Sequence, residues 1–388
     1  MSSSLKFSPR TIFDEDHDRF REMVRTFIER EAAPHFERWE DAKIVDRSFY
    51  EAAGEQGLLL FAAPAELGGP DVDDFRFNAI LDEEFGRAGM SSAGLGLALQ
   101  NDVLGPYFLE LTNDEQRRRW VPGLVAGTSI AAIAMTEPGT GSDLSGIRTR
   151  ATLDGDHYVL NGAKTFISSG QNADLVVVAA RTSDHPHRGL TLLVVEAGME
   201  GFERGRNLDK LGLRGQDTSE LSFTDVRVPV SNRLGDEGAG FLSLVRNLPQ
   251  ERMSLAVTAV ACSVGMLEWT LDYVNERQAF GQSIGSFQNT RFTLSELATE
   301  VEIAQTFVDS CLSELVAKTL TPVKAAKAKW WTTELQNRVA AQCLQLHGGY
   351  GFMMEYPIAR AYADARIQTI YGGTTEIMKE IIGRDLGL

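Results

Sequence analysis

Cysteine is scarce in this chain, which has three cysteines among its 388 residues. Cys262, Cys311 and Cys343 lie far apart and form no CxxC pair, so the sequence predicts neither a disulfide framework nor a cysteine metal site. The six histidines show no HExxH or other ligand spacing, which excludes the common zinc motifs. We therefore expect no metal, and a reducing compartment.

Positive charge is also in short supply. Lys and Arg number 38 against 54 Asp and Glu, a formal net charge of −16 that argues against nucleic-acid binding and disfavours anionic membranes. No uninterrupted apolar run reaches about 18 residues, so we expect no membrane span. The N-terminal residues lack the apolar run of a signal peptide and are too acidic for a transit peptide, which predicts a cytoplasmic protein.

Hydrophobic spacing divides the chain into three parts. Residues 1–128 follow the helical period and predict an N-terminal helical domain. Residues 129–234 alternate with a period of two and contain hairpin-type Asp-Gly and Asn-Gly pairs, which predicts a β-barrel-like domain of six to eight strands. Residues 235–388 return to the helical period and predict a C-terminal four-helix bundle. This order is not a βαβ alternation, so the predicted class is α+β.

Two segments of the middle part carry groups suited to a polar ligand. In the segment 134–151, Gly139 and Gly141 follow a proline in a tight loop whose N–H groups can face an anion or a polar ring edge. In the segment 164–170, Phe166 can lie against an aromatic ring and Ser168 can reach its edge. On the residues alone, an ordinary turn and a strand with one buried Phe explain these segments as well.

The C-terminal third adds charge and glycine pairs. Arg277 precedes a loop that ends at Gln288, and its planar guanidinium suits a pyrophosphate, although a helix-terminal Arg is more often simply solvated. From 345 to 384 the chain reads QLHGGYGFMMEYPIARAYADARIQTIYGGTTEIMKEIIGR, with glycine pairs at positions where backbone can approach a ligand closely.

These motifs, in this order, resemble those of the acyl-CoA dehydrogenases, flavoenzymes that oxidise a fatty acyl thioester to its 2,3-enoyl form. The resemblance runs from about residue 14 to Arg384 and is greatest to the long-chain branch of the family. It implies FAD as cofactor, an electron-transferring flavoprotein as electron acceptor, and a homotetramer in which Arg277 and Gln288 hold the FAD of a neighbouring subunit. The residues that it assigns to FAD are Met135, Thr136, Gly141, Ser142, Phe166, Ile167, Ser168, Arg277, Phe280, Gln288, Gln345, Leu346, Gly348, Gly349, Thr374, Thr375 and Glu376.

One departure from the family pattern concerns the catalytic base. Much of the family has a Glu where this chain has Gly372, and glycine cannot take a proton. The long-chain and isovaleryl-CoA branches have their Glu in the segment that reads LPQER here, which assigns the role to Glu251. Pro249 predicts a helix start, so the alternative is that Glu251 in the first turn only complements the helix dipole.

The substrate-binding residues implied by the resemblance surround this base: Ser142, Pro249, Gln250, Glu251, Arg252, Gly372 and Gly373. Arg252 suits a thioester-side or helix-to-loop contact and a plain ion pair equally well. The small residues 91–98 leave space for an acyl chain or allow close helix packing, and packing is slightly favoured.

The predicted function is therefore FAD-dependent α,β-dehydrogenation of a fatty acyl-CoA, in which Glu251 removes the Cα proton and a hydride passes to flavin N5. Two alternatives stay open. One is a flavin oxidase or monooxygenase on the same fold, and the other is a non-catalytic subunit that binds FAD and acyl-CoA without a base.

Overall fold

The computed structural model describes residues 5–185 and 188–388, and its first third is helical. Asp14 caps the first helix and forms a capping box with His17, which fixes where that helix begins. A π-helical turn over Ile28–Ala32 extends this helix, and another over Leu99–Leu104 joins the fifth helix to the sixth. The helices are α1 (Glu15–Phe27), α2 (Phe36–Ala42), α3 (Arg47–Glu55), α4 (Phe75–Arg87), α5 (Ser91–Ala98), α6 (Gly105–Glu110) and α7 (Asp114–Val125).

An eight-stranded, mostly antiparallel sheet forms the middle of the chain, as the alternating pattern predicts. Its strands are β1 (Ala131–Ala134), β2 (Arg150–Asp154), β3 (His157–Ser168), β4 (Leu175–Arg181), β5 (Leu190–Glu196), β6 (Phe202–Asn207), β7 (Thr218–Pro229) and β8 (Arg233–Leu234). The order is β6-β7-β3-β2-β4-β5-β8, with β1 parallel to β4. The Asp154-Gly155 pair forms the predicted hairpin between β2 and β3.

Long helices return after the sheet and confirm the α+β class. They are α8 (Gly240–Glu276), α9 (Gln288–Val316), α10 (Pro322–His347), α11 (Pro357–Ala365) and α12 (Thr375–Asp385). A short hairpin of β9 (Gln278–Ala279) and β10 (Gln282–Ser283) connects α8 to α9. Helix α8 packs against α4, α9 and α10, while α12 packs against α10. The predicted four-helix bundle is thus formed by α8, α9, α10 and α12.

Three apolar clusters hold these layers together. One joins the N-terminal helices to one face of the sheet, one fills the other face, and one lies among the C-terminal helices. In β4, Val177 and Ala179 belong to the first cluster while Val176 and Val178 belong to the second. The strand is buried on both faces, so its sequence is a continuous apolar run.

Helix α8 does not begin at Pro249, contrary to the sequence expectation. It begins at Gly240 and continues through Pro249, so Glu251 lies in its interior and not in its first turn. A proline inside a helix costs about 3 kcal/mol, and burial of many apolar side chains on α8, among them Met253 and Val257, offsets that cost. The dipole interpretation of Glu251 is therefore wrong, because the helix N-terminus is too far away.

Within the described ranges, α8 is also the one helix long and apolar enough to cross a membrane by length and composition. Of its most apolar stretch, 67% is buried inside the structure. A core helix has the same properties.

Candidate active site

Two strand-associated segments that the sequence assigns to the flavin lie side by side. Thr165 donates its backbone N–H to the Thr136 carbonyl over 2.9 Å, which joins the loop after β1 to the end of β3. Phe166 has a left-handed backbone (φ 59°) and leaves 67% of its surface exposed. A left-handed backbone is uncommon for a residue with a large side chain, and strained positions of this kind cluster at functional sites. The structure thus places the segment around Thr136 and Gly141 beside the end of β3, where Phe166, Ile167 and Ser168 lie, while Met135 and Ser142 flank Thr136 and Gly141 in the chain.

A buried ion pair supports this arrangement from behind. Lys164 is fully buried and donates from Nζ to the Met135 carbonyl and to Glu137 Oε1, both at 2.9 Å. Glu137 also accepts from the backbone N–H groups of Arg148 and Thr149 at 2.8 Å. Burial lowers the pKa of Lys164 to about 8 although the Glu137 carboxylate opposes the shift. Four hydrogen bonds therefore fix the start of the loop after β1.

Glu251 occupies an apolar environment on α8. It is 8% exposed, and among the described residues its Oε1 has no hydrogen-bond partner. Burial raises the pKa of Glu251 to about 7, while the positive charge of Arg252 acts in the opposite direction. Tyr107 is close enough that the Glu251 charge, after burial, contributes to raising the pKa of its phenol. A carboxyl group with this environment takes up a proton readily near neutral pH.

The turn containing Gly372 and Gly373 is held against α8, the helix of Glu251. Glu251, Arg252 and this turn are referred to below as the Glu251 group. Arg252 Nε approaches the Gly372 carbonyl at 3.5 Å, and the fully buried Lys329 donates from Nζ to the Gly373 carbonyl over 2.7 Å. Burial lowers the pKa of Lys329 to about 8, with the Arg252 charge acting in the same direction. Of the two roles considered for Arg252, the structure shows this contact from helix to turn.

Helix α12 starts directly after this turn. Thr374 caps it by accepting from the Ile377 N–H, and Thr375 Oγ1 donates to Glu334 Oε1 over 2.7 Å. The predicted residues Thr374, Thr375 and Glu376 therefore lie with the Glu251 group rather than with the strand segments. Unpaired N–H groups at a helix start suit an anionic or polar ligand edge.

The remaining predicted FAD residues form a separate group at the far end of α8. Arg277 ends this helix, and its guanidinium lies over the Tyr350 ring at 5.4 Å. Tyr273 donates from its hydroxyl to the His347 carbonyl over 3.1 Å, so the end of α10 is attached here as well. The members of this group are Arg277, Phe280, Gln288, Gln345, Leu346, Gly348 and Gly349.

Glu251 and Arg277 are 26 residues apart on this helix, which corresponds to about 39 Å at ~1.5 Å per residue. At that distance Arg277 does not contact the atoms that react at Glu251 of the same chain.

The strand segments and the Glu251 group, in contrast, are connected by the loop between β6 and β7. Gln216 donates from Nε2 to Ser169 Oγ over 3.2 Å, next to the strand segments. A few residues earlier, the Leu213 N–H donates to Asp364 Oδ1 over 2.5 Å, on the α11 side. Burial raises the pKa of Asp364 to about 7.

A narrow cavity extends from this region between α4, α5 and α8. Its walls include Phe85, Gly94, Leu213, Leu255 and Tyr371. Part of the small-residue segment 91–98 therefore lines a space, although Gly94 also packs closely, since an added Cβ would lie 2.5 Å from Phe85 Cβ. The segment therefore both lines a space and allows close helix packing.

A larger cavity of about 640 Å³ lies elsewhere, between the N-terminal residues 7–12, α4 and α9. Arg10 there pairs with Glu83 and Asp309, so its charged groups satisfy one another. No predicted site residue lines either cavity, but the smaller one is lined by Leu255, one turn after Glu251, and by Tyr371, next to Gly372, so we assign the chemistry to the smaller cavity.

Family models match almost the whole chain. The N-terminal domain of acyl-CoA dehydrogenase matches residues 14–128, the middle domain matches 132–226 and the C-terminal domain matches 238–387. This chain belongs to the acyl-CoA dehydrogenase family.

Similar proteins include dehydrogenases and a reductase. The mitochondrial long-chain specific acyl-CoA dehydrogenase of Sus scrofa is 47% identical over 97% of this chain and 88% of its own length. A caffeyl-CoA reductase-Etf complex subunit of Acetobacterium woodii is 32% identical over 95% of this chain and 98% of its own.

Solved structures agree. Acyl-CoA dehydrogenase from Geobacillus kaustophilus has a TM-score of 0.95 at 46% identity, covering 98% of this chain and 100% of its own. A glutaryl-CoA dehydrogenase from Mycobacterium smegmatis in complex with FADH2 has a TM-score of 0.90 at 26% identity, covering 97% and 95%. The chain is an FAD-dependent oxidoreductase of this family.

The residues of this acyl-CoA dehydrogenase suit FAD. An added Cβ would meet nothing within 4 Å at Gly139, Gly348 and Gly349, so backbone is open to a ligand in both flavin groups. The exposed Phe166 ring provides an apolar surface for an aromatic system. Arg277, at the surface beside Tyr350, offers a cationic fork for a diphosphate.

Several residues that shape the site were not found from the sequence: Glu137, Lys164, Leu255, Lys329 and Gln368. A lysine in an otherwise inward-facing part of β3 is a signal that could have identified Lys164. The others carry no local signal, because their partners are distant in the chain.

Proposed function

We propose that this acyl-CoA dehydrogenase oxidises a fatty acyl-CoA to the trans-2-enoyl-CoA with Glu251 as the base. The observation that carries the proposal is the buried Glu251 carboxyl group, whose Oε1 has no partner among the described residues. A carboxylate that is not neutralised by a hydrogen bond or an ion pair is free to accept a proton from substrate. This observation also disfavours the non-catalytic alternative.

The chain's own residues account for the proton transfer. Exclusion of water raises the basicity of Glu251 toward the Cα proton of the thioester. Backbone N–H groups near Gly372 stabilise the negative charge that develops on the thioester oxygen. Arg252 and Lys329 hold that turn in position through its carbonyls. FAD, when bound, accepts the hydride from Cβ.

The acyl chain lies in the narrow cavity along α8. Leu255 lines this cavity one turn after Glu251, and Leu95 lines it from α5. The free volume is about 20 Å³, so a chain enters by rotating these flexible side chains. Ser142, exposed in the loop after β1, remains our assignment for the CoA side of the substrate.

A complete site needs a second copy of the chain. Arg277 and its group are too far from Glu251 of the same chain, so they complete the FAD site of a neighbouring subunit. Phe280 is 96% exposed and Phe352 is 80% exposed at this end of the molecule. Exposed aromatic rings of this kind are typical of interfaces. A homotetramer provides such interfaces with closed symmetry.

The electron acceptor we propose is an electron-transferring flavoprotein. The similarity to a subunit of an Etf complex supports this choice. That relative is a reductase by name, so the direction of the reaction is part of the proposal and not of the family assignment. An oxidase would instead transfer electrons to O₂ and release peroxide.

An anaerobic titration tests the proposal. Adding acyl-CoA thioesters of increasing length to the yellow holoenzyme should bleach the flavin, and the matched variant Glu251→Gln should bind the thioester but bleach ~10²–10⁴-fold more slowly. Because the base must be unprotonated, the wild-type rate should rise as the pH increases through about 7.

Wild-type bleaching that Glu251→Gln leaves unchanged would remove Glu251 from the mechanism. No bleaching by any thioester would refute the proposed reaction itself. Stoichiometric release of peroxide during aerobic turnover would show that the electron acceptor is O₂ and not a flavoprotein.

A further inference from the structure

The cavity beside α8 is unusual for a hydrocarbon site because one part of its wall is polar. Asp82 from α4, Ser254 and Thr258 from α8, and Gln368 all line it together with apolar side chains. Alkyl chains gain nothing from such groups, and burying polar atoms without partners is costly. The polar part of the wall therefore suits a polar group on the ligand.

Asp82 is the acid in this polar part, and a second buried acid, Asp102, acts on it electrostatically. Ser254 donates from Oγ to Asp82 Oδ2 over 2.9 Å, and Asn78 donates to Asp102 Oδ1 over 2.7 Å. Burial raises the pKa of both acids, and the Asp102 charge raises that of Asp82 further. Both causes disfavour the charged form of Asp82.

One hydrogen-bond acceptor among the lining residues has no partner within the described chain. Gln368 is 2% exposed, and its Oε1 has no hydrogen-bond partner among the described residues although the side chain lines the cavity. A buried amide oxygen without a partner costs about 1–3 kcal/mol. The free volume of about 20 Å³ holds one group of the size of a water or a hydroxyl.

Position along the helix relates this polar part to the base. Ser254 and Thr258 follow Glu251 by three and seven residues and so lie on the same side of α8. They are about 5–10 Å further along the helix, at ~1.5 Å per residue. A group recognised there sits on the acyl chain beyond the carbons that react.

We propose that the polar wall formed by Asp82, Ser254 and Gln368 binds a hydroxyl group carried on the acyl chain of the substrate. A hydroxyl donates a hydrogen bond to Gln368 Oε1, and the polar side chains of Asp82 and Ser254 line the same cavity. A terminal carboxylate is disfavoured because the Asp82 carboxyl group lines the cavity as well. The inference rests on the proposed function, since it requires an acyl chain in this cavity.

A positional series of substrates tests it. Acyl-CoAs of one chain length, with a single hydroxyl at successive carbons beyond C3, are compared with the unsubstituted thioester by the second-order rate of anaerobic flavin reduction. We expect one position to exceed the unsubstituted chain by at least about tenfold, the effect of one well-placed hydrogen bond. In Gln368→Leu that advantage should disappear, so the ratio of the rates with the hydroxylated and the unsubstituted thioester, both measured on this variant, should fall to about one.

Gln336→Leu is the matched control, since Gln336 is equally buried and its Oε1 likewise has no partner in the described part of the chain, but it does not line the cavity. It should leave the hydroxyl preference intact. If Gln368→Leu loses its flavin, Ser254→Ala provides the second measurement and should reduce the preference.

The remaining outcomes are decisive. A flat positional profile, or a preference that survives both cavity variants, would mean that a structural water satisfies Gln368, and the inference would fail. A preference for a terminal carboxylate or amine would also overturn it. Failure of every thioester to bleach the flavin would instead refute the proposed function.

Discussion

Both the backbone conformation and the packing at position 372 favour glycine. Its φ of 64° lies in the left-handed region, and a Cβ added there would lie 2.4 Å from Leu255 Cδ1. A longer side chain at position 372 would therefore require the Leu255 side chain to move and would adopt a backbone conformation that favours glycine.

Moving the base to position 372 should therefore need a second change. Glu251→Gly with Gly372→Glu is expected to stay near the activity of Glu251→Gly alone, and adding Leu255→Ala should recover part of the flavin reduction. Recovery stays partial, since a misplacement of about 1 Å can cost ~100-fold.

Leu255→Ala alone is the control, and it should still reduce its flavin because Glu251 is present. The comparison requires that every variant binds FAD and acyl-CoA. If the exchange without Leu255→Ala is as active as the version with it, crowding at Leu255 is not what excludes a side chain at Gly372.

Among the elements, the loop after β1 depends on β3 through the Lys164–Glu137 pair. Glu137 is buried and accepts hydrogen bonds from two backbone N–H groups, and Lys164 is its ion-pair partner. Without Lys164, the Glu137 carboxylate would stay buried and have no counter-charge. Breaking such a pair by removing one partner typically costs about 3–5 kcal/mol.

Lys164→Met should accordingly lower the free energy of unfolding by about 3 kcal/mol and reduce the FAD content of the purified protein. Urea unfolding and the flavin-to-protein absorbance ratio measure the two effects. Adding Glu137→Gln to Lys164→Met should return part of the stability, because no unpaired charge then stays buried.

Lys318→Met removes one partner of the exposed Lys318–Asp73 pair and serves as the control. It should change neither quantity appreciably. Full flavin content in Lys164→Met would show that the ion pair does not position the loop.

The change to a period of two between residues 129 and 234 predicted a domain of six to eight strands, and the sheet has eight among the described residues. The return of the helical period after residue 234 predicted the C-terminal helices. Which residues form the site was predicted from the family resemblance and not from periodicity. The helix start predicted at Pro249 was wrong because it relied on a local signal. The apolar burial that keeps α8 helical on both sides of Pro249 depends on contacts with other helices. The contact of Leu255 with Gly372 and the unpaired Gln368 arise from tertiary packing, which no local pattern encodes.

At the scale of the whole molecule, Glu251 and Arg277 lie about 39 Å apart along α8. In the proposed oligomer, each chain supplies the base for one site and, through Arg277, the FAD contact for another. Arg277→Ala alone should lose flavin and melt at a lower temperature, because bound FAD no longer stabilises the fold.

A mixing experiment separates shared sites from independent ones. Glu251→Gln and Arg277→Ala chains, each nearly inactive alone, are unfolded together and refolded with FAD. Hybrid pairs contain one site with both native groups, so about a quarter of the sites should regain activity under random pairing. Mixing Glu251→Gln with Glu251→Gly is the control and should restore nothing. No recovery in the test mixture, with FAD bound and hybrids formed, would mean that both groups serve the same chain.

If Glu251 and Arg277 serve different sites as proposed, the length of α8 also has a genetic consequence. Where defective and normal copies of this chain are made in the same cell, an Arg277 defect spoils sites whose base is normal, and a Glu251 defect spoils sites whose FAD contact is normal. Alleles of the first kind and the second kind would complement each other in a diploid. Neither would complement an allele that lacks both groups on one helix.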